Sequence, residues 1–337
     1  MRKLSLLIIA IFTLSVLNVS AQESEKPLKC NVGIYIKTLR IHQADEMFES
    51  MFYWWMRVDS IEAGLSKAEL KEKYEFVSEC EFVNGEGDVE IDTYTIDTIQ
   101  HYYYVAGRCK LQIPYKADYR RFPFDIQYLD ISIENKVFNK DVIIYVPDSK
   151  TAYINTIEGK SIEILNGDQY NITELESKLG TYIYKTNFGD PGVEGEDEYS
   201  RISFEISISR NPTGMMQKIS LPLLVVLILS YLVFFIPDDE IGTASGLTVT
   251  ALLAAIAFQW TLNDSLPKVS YLTLIDKIFY LVYAFIFYAM AQTVVTYNLG
   301  RTDSPLLQRI SHATEKHSRY LFPLVFLILF ILLLMFP

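Results

Sequence analysis

Gly242, Gly246, Thr250, Leu253, Ala257, Trp260 and Asp264 follow one another in steps of four, four, three, four, three and four, which sets all seven on one face of an α-helix. That face begins with small and hydroxylated residues, turns apolar through Leu253, Ala257 and Trp260, and ends on a carboxylate, while Asp238, Asp239 and Glu240 crowd its start. The chemistry on offer is passage, not turnover. Symmetric copies around an axis would set rings of carboxylates at both mouths of a water-filled path, a device that selects cations. Close packing against a neighbouring helix is the plainer alternative, because small side chains also mark tight helix contacts in lipid. Turnover finds no comparable support: the chain has no nucleophile elbow, phosphate loop, metal-ligand helix or His/Cys cluster. Its carboxylates have no spacing that singles out a general acid and base, so an enzyme is not expected.

Such a helix needs a membrane and a scaffold, and the 337 residues supply both. The chain is 50% hydrophobic and 21% charged. Ile219–Ile236, Ile278–Val295 and Tyr320–Pro337 each run 18 residues without a charge, close to the length that crosses about 30 Å of hydrocarbon. Ile241–Leu262 is equally uncharged but rich in Ala, Thr, Gly and Ser, which suits protein or water better than lipid. Four helices are expected, at about 213–237, 240–265, 270–299 and 305–336, forming a transmembrane domain over 213–337. Residues 22–212 hold 34 Asp/Glu against 21 Lys/Arg, whereas 213–337 hold seven of each. No basic block stands out, so nucleic acid is not an expected partner.

Arg2 and Lys3, the apolar run Leu4–Val16 and the small residues Val19-Ser20-Ala21 read as a signal peptide over 1–21. Residues 22–212 then lie outside the cytoplasm, in the periplasm of a bacterial inner-membrane protein. The connection Leu299–Arg319 lies inside, in keeping with Arg301, Arg309, Lys316 and Arg319 against Asp303 and Glu315.

The outer half reads as an all-β sandwich of immunoglobulin-like type. Strands are expected at Val32–Thr38, Phe48–Val58, Tyr74–Val83, Ile99–Ile113, Ile126–Glu134, Asp141–Val146, Gly180–Thr186 and Tyr199–Ser209. Alternation is clearest where Ile202, Phe204, Ile206 and Ile208 share one face. Ser66–Lys73 is a short helix or polar loop, and 187–198 an acidic loop. Cys30, Cys80 and Cys109 match no zinc or disulfide framework; a Cys80–Cys109 bridge and buried free thiols both stay open.

With these elements in order, three motifs resemble the pentameric ligand-gated ion channels, the Cys-loop receptor superfamily. They are Phe122-Pro123-Phe124-Asp125-Ile126-Gln127, the run from Tyr199-Ser200-Arg201-Ile202 to Arg210-Asn211-Pro212, and Leu266-Pro267-Lys268 with Tyr271. Tyr115 and Leu129 stand where the bridging cysteines of animal members would be, and the Leu299–Arg319 connection leaves no room for an intracellular domain. The prokaryotic branch is the nearest likeness.

The resemblance implies a homopentamer in lipid, with the second spans lining a pore and agonist binding between neighbouring sandwiches. Leu253 and Trp260 become gate candidates, Thr250 a hydration site, and Asp239 or Glu240 the cation-selecting carboxylates. Coupling would rest on Asp125 with Arg210, with Asp45 or Glu46 as third partner, and on Phe122, Pro123 and Phe124 pushing Pro267 and Lys268. Glu134, Tyr184, Phe188 and Tyr199 are the ligand candidates, since aromatic faces hold organic cations, although Lys136 stands where amine-gated relatives carry an aromatic. Asp190, Glu194, Glu196, Asp197 and Glu198 are candidates for a modulatory calcium ion, and no other cofactor is expected. Small molecules, protons and divalent ions remain open as agonists. A non-conducting, membrane-anchored periplasmic sensor is the alternative from another class.

Overall fold

The computed structural model describes residues 26–148, 163–164, 169–186, 189, 196–237, 240–263 and 268–336. The expected signal peptide, Phe188, Asp190, Glu194, Asp238, Asp239, Asp264 and Pro267 lie outside the described residues.

Two sheets form the outer half. The larger runs in the order β4(Glu86–Asp97), β5(Tyr102–Pro114), β2(Met47–Asp59), β1(Leu28–His42), β7(Ile143–Pro147), with β8(Glu163–Ile164) also on β1. The smaller runs β3(Cys80–Phe82), β6(Ile126–Asn135), β10(Glu198–Arg210), β9(Tyr170–Ile183). Alternation builds the core between them. Phe48, Phe52, Trp54 and Met56 of β2 are buried with Ile202, Phe204, Ile206 and Ile208 of β10 and Leu129, Ile131 and Ile133 of β6. The remaining residues of β6 and β10, Glu134 and Arg201 among them, form the opposite face of the smaller sheet, whereas Arg210 falls on the core side at the end of β10.

Local structure departs from expectation in four places. Tyr74–Val83 is not one strand. Ser66 and Glu69 make a capping box that starts α1(Lys67–Tyr74), burying Leu70 and Tyr74. One 3₁₀ turn, Glu75–Ser78, follows, and only Cys80–Phe82 is extended. The strand expected from Ile99 starts at Tyr102, because Asp97 Oδ1 accepts hydrogen bonds from the backbone N–H groups of Ile99 and Gln100 and curls the chain. The strand expected at Gly180 begins ten residues earlier, at Tyr170. β4 is an edge strand with an almost wholly exposed run of residues, and alternation alone does not announce it. All three cysteines are free and buried, so the Cys80–Cys109 bridge is absent. Burial pushes the Cys80 thiol up to about 12, which makes it inert at neutral pH.

Four helices follow the sandwich: α2(Thr213–Leu232), α3(Ile241–Asn263), α4(Leu274–Gly300) and α5(Pro305–Met335). All four are long and apolar enough to cross a membrane. β10 runs into α2 through Asn211 and Pro212 alone. A capping box of Thr273 and Asp276 fixes the start of α4. α3 buries Ala244, Thr248, Ala251 and Ala255, spaced by four, three and four. Ala251 and Ala255 pack into the cluster that holds Ile219 and Leu223 of α2 and Phe279 and Val282 of α4. Tyr283 of α4 adds a hydroxyl donated to Gln259 Oε1 at 2.6 Å.

Candidate functional site: helix stripe, junction and outer cluster

Three groups of residues stand out along one line from the membrane to the outer sandwich. The first is the far face of α3. Gly242, Gly246, Thr250, Leu253, Ala257 and Trp260 are all exposed, Leu253 at 61% and Trp260 at 75%. At about 100° per residue they lie roughly opposite the buried alanines and Thr248. The expected stripe is therefore the exposed side of the helix. Thr250 donates its hydroxyl hydrogen back to the Gly246 carbonyl at 2.8 Å. Glu240 is exposed at the start of the helix.

The second group joins sandwich to membrane. Arg210, the last residue of β10, donates from Nε to Asp125 Oδ1 at 2.8 Å and from Nη2 to Asp125 Oδ2 at 3.3 Å. Its backbone N–H reaches the Asp125 carbonyl at 3.2 Å. The guanidinium lies 4.7 Å from the ring centroids of both Phe122 and Tyr170. Burial works against its charge, but Asp125 and Tyr170 together outweigh burial and the guanidinium stays firmly protonated. The third partner is Gln43, whose Oε1 accepts from Arg210 Nη2 at 3.1 Å and from the Tyr170 hydroxyl at 3.3 Å. This corrects the assignment to Asp45 or Glu46, which sit exposed at the tip of the same turn.

Gln127 explains the end of the Phe122–Gln127 motif. It donates to Asp125 Oδ2 and to the Asp118 carbonyl and accepts from the Asp118 N–H, closing the loop on itself. Phe122 and Tyr119 are buried in the membrane-side cluster, whereas Phe124 is 44% exposed. The loop meets the start of the third span through two bonds of 2.9 Å: Tyr119 N–H to the Tyr271 hydroxyl, and Leu274 N–H to the Arg120 carbonyl. The contact thus falls beyond Lys268, which is exposed. A groove of about 600 Å³ opens beside this junction between Gln43, Arg210, Lys218, Ile219 and Leu262.

The third group lies at the other end of β6 and β10. Glu134, 1% exposed, is paired with Arg201, whose Nη2 and Nε lie 2.7 and 2.8 Å from Glu134 Oε2. The Arg201 guanidinium stacks 4.1 Å from the centroid of the Tyr182 ring. Tyr184 sits 4.8 Å from Tyr182 and 5.5 Å from Tyr199 between ring centroids. Burial, with a hydrogen bond to Glu134, pushes the Tyr184 hydroxyl up to about 12. The structure thus brings Glu134, Tyr184 and Tyr199 together, and adds two residues that the sequence reading did not assign there, Tyr182 and Arg201. Glu134 is an engaged carboxylate. Glu198 pairs with Lys140, and Asp197 accepts from Asn139 Nδ2 at 3.4 Å. Among the described residues no three His, Cys, Asp or Glu side chains converge on a metal-sized site.

Residues 219–326 match the family described as the neurotransmitter-gated ion-channel transmembrane region. Over 92% of its length the chain is 27% identical to a proton-gated ion channel of Gloeobacter violaceus, covering 83% of that protein. It is 24% identical over 60% of its length to the gamma-aminobutyric acid receptor subunit beta-4 of Gallus gallus, and 21% identical over 52% to subunit rho-3 of Homo sapiens. The matched segments span 40% and 34% of those two receptors.

Proposed function

Because the chain belongs to the prokaryotic pentameric ligand-gated ion channels, we propose that five copies conduct cations through a pore lined by α3, opened by an agonist at the outer cluster. The sandwich faces the periplasm and the helices sit in the bacterial inner membrane. The observation that carries the reading is the division of α3 into a face packed on its own subunit and an opposite face, Gly242 to Trp260, that is exposed throughout. An exposed small-residue face is what a shared aqueous axis requires. The outer part of that face, with Leu253 and Trp260, supplies apolar rings able to dewet and close the path. Glu240 and Asp239 offer the carboxylates at the inner mouth, where Gly242 and Gly246 leave the pore wide.

Agonist binding opens the pore only if it discriminates between closed and open states. The line from Tyr199 and Arg201 along β10 to Arg210 and directly into α2 is a continuous rigid element suited to carry that difference. Cysteines at Thr250 and Leu253 are expected to react with aqueous thiol reagents in open channels and to change the current, whereas cysteines at Ala251 and Ala255 stay protected. The reverse pattern would end the pore assignment. Cation preference is checked separately by the reversal potential in a salt gradient, which should follow the cation and not chloride.

A further inference from the structure

We propose that the ligand of the outer cluster carries a carboxylate, and that Arg201 selects it. The inference rests on reading that cluster as the agonist site. An organic cation would look for two things, an aromatic face and a free carboxylate, and the chain's own guanidinium already occupies both. It stacks on Tyr182 at 4.1 Å and holds Glu134 through two nitrogens. An incoming amine would meet a like charge, and prising Arg201 away would leave Glu134, buried to 1% exposure, uncompensated.

The same geometry favours an anion. Arg201 presents one edge, Nε and Nη2, to Glu134, while Nη1 has no hydrogen-bond partner among the described residues. Its side chain is 23% exposed, so the spare donors remain within reach of a ligand. A guanidinium with an open edge binds a carboxylate in charge-assisted hydrogen bonds. Glu134 holds the fork in a fixed orientation, and the rings of Tyr184 and Tyr199 flank it to take the apolar part of the ligand. The cluster therefore resembles a carboxylate receptor whose counter-charge is built in.

The test uses the purified full-length pentamer with propionate and propylamine as probes, at matched ionic strength and pH. Binding is read by thermal shift, and gating by ion flux from liposomes. Propionate is expected to raise the melting temperature and propylamine to leave it unchanged. R201Q alone strands Glu134, so the double variant E134Q/R201Q keeps the site neutral; it should weaken propionate about ten- to a hundredfold. R201K, which keeps the charge and loses the fork, should fall between. Stabilisation by propylamine but not propionate, by neither probe, or by propionate equally in E134Q/R201Q overturns the inference. The two readouts keep the claims apart. Propionate binding without flux under any condition would sink the channel reading and leave the ligand class standing, while flux with no propionate binding would do the opposite.

Discussion

The same two strands carry an arginine–carboxylate pair at each end, and the two pairs are built for different tasks. β6 and β10 run antiparallel, with Glu134 opposite Arg201 near the outer end and Asp125 bonded to Arg210 at the membrane end. Nine residues separate them on each strand, about 30 Å at strand rise. At the membrane end the arginine side chain is 7% exposed, enclosed by two aromatic rings and bound by a third partner, Gln43. At the outer end it is 23% exposed, has one stacked ring, and keeps a nitrogen unengaged among the described residues. Enclosure makes the lower pair a fixed joint between sandwich and membrane. Incomplete enclosure suits the upper one to the proposed ligand.

The largest effect should come from breaking the enclosed joint. R210A removes the one cationic partner that a buried carboxylate has among the described residues and empties the space between Phe122 and Tyr170. A loss of about 3–5 kcal/mol in unfolding free energy is expected, together with loss of flux in whatever pentamers assemble. D125N/R210Q should recover much of the stability, because it neutralises both members, without recovering gating. R201A, in the more open pair, should lower stability by only about 1.5–3 kcal/mol. Chemical denaturation of the four proteins measures the contrast. Equal losses for R210A and R201A would erase the distinction between the enclosed and the open pair.

A smaller effect separates Gln43 from its neighbour on the same turn. Q43A deletes an acceptor shared by Arg210 and the Tyr170 hydroxyl, for about 1 kcal/mol. D45A alters an exposed side chain and should stay within about 0.5 kcal/mol of the parent, with its open probability unchanged in patch recordings. A gating defect in D45A equal to that in Q43A would restore Asp45 to the joint.

The sandwich, the four spans and the exposed face of α3 were legible because each rests on periodicity, whereas the Asp125–Arg210 pair came only with the family resemblance. What escaped is long-range. Gln43 and Tyr170 meet Arg210 only after the sheets close, and no local pattern marks a neutral amide as a third partner. Arg201 was within reach: in an antiparallel pair the two residue numbers sum to a constant, so an Asp125–Arg210 contact places Glu134 opposite Arg201. Reading Glu134 by itself hid this. Tyr74–Val83 misled for a different reason, because its aromatic and β-branched content suits strands while the Ser66–Glu69 cap upstream decides the backbone.

Between the two pairs along β6, on the outward face that carries Glu134, lies a carboxylate with no arginine bonded to it among the described residues, and it yields the smallest predicted effect. Asp130 stands opposite Glu205 and accepts a hydrogen bond from the Ser132 hydroxyl at 3.0 Å. Glu205 is already engaged by Lys178 at 2.7 Å. Burial raises the Asp130 pKa; the Ser132 hydroxyl opposes that rise, Glu205 adds to it, and Lys178 and Arg201 oppose it. A carboxyl whose folded pKa lies above its unfolded value binds protons more tightly when folded. Its stabilisation is therefore fully present below the ordinary aspartate pKa and is lost as pH rises through the raised value. D130N has no such proton to lose. The variant should match the parent in acid and become slightly more stable than it towards neutral pH, as read by thermal unfolding across that window. A D130N curve parallel to the parent's at every pH would mean that this middle carboxylate is compensated as fully as the pairs that flank it.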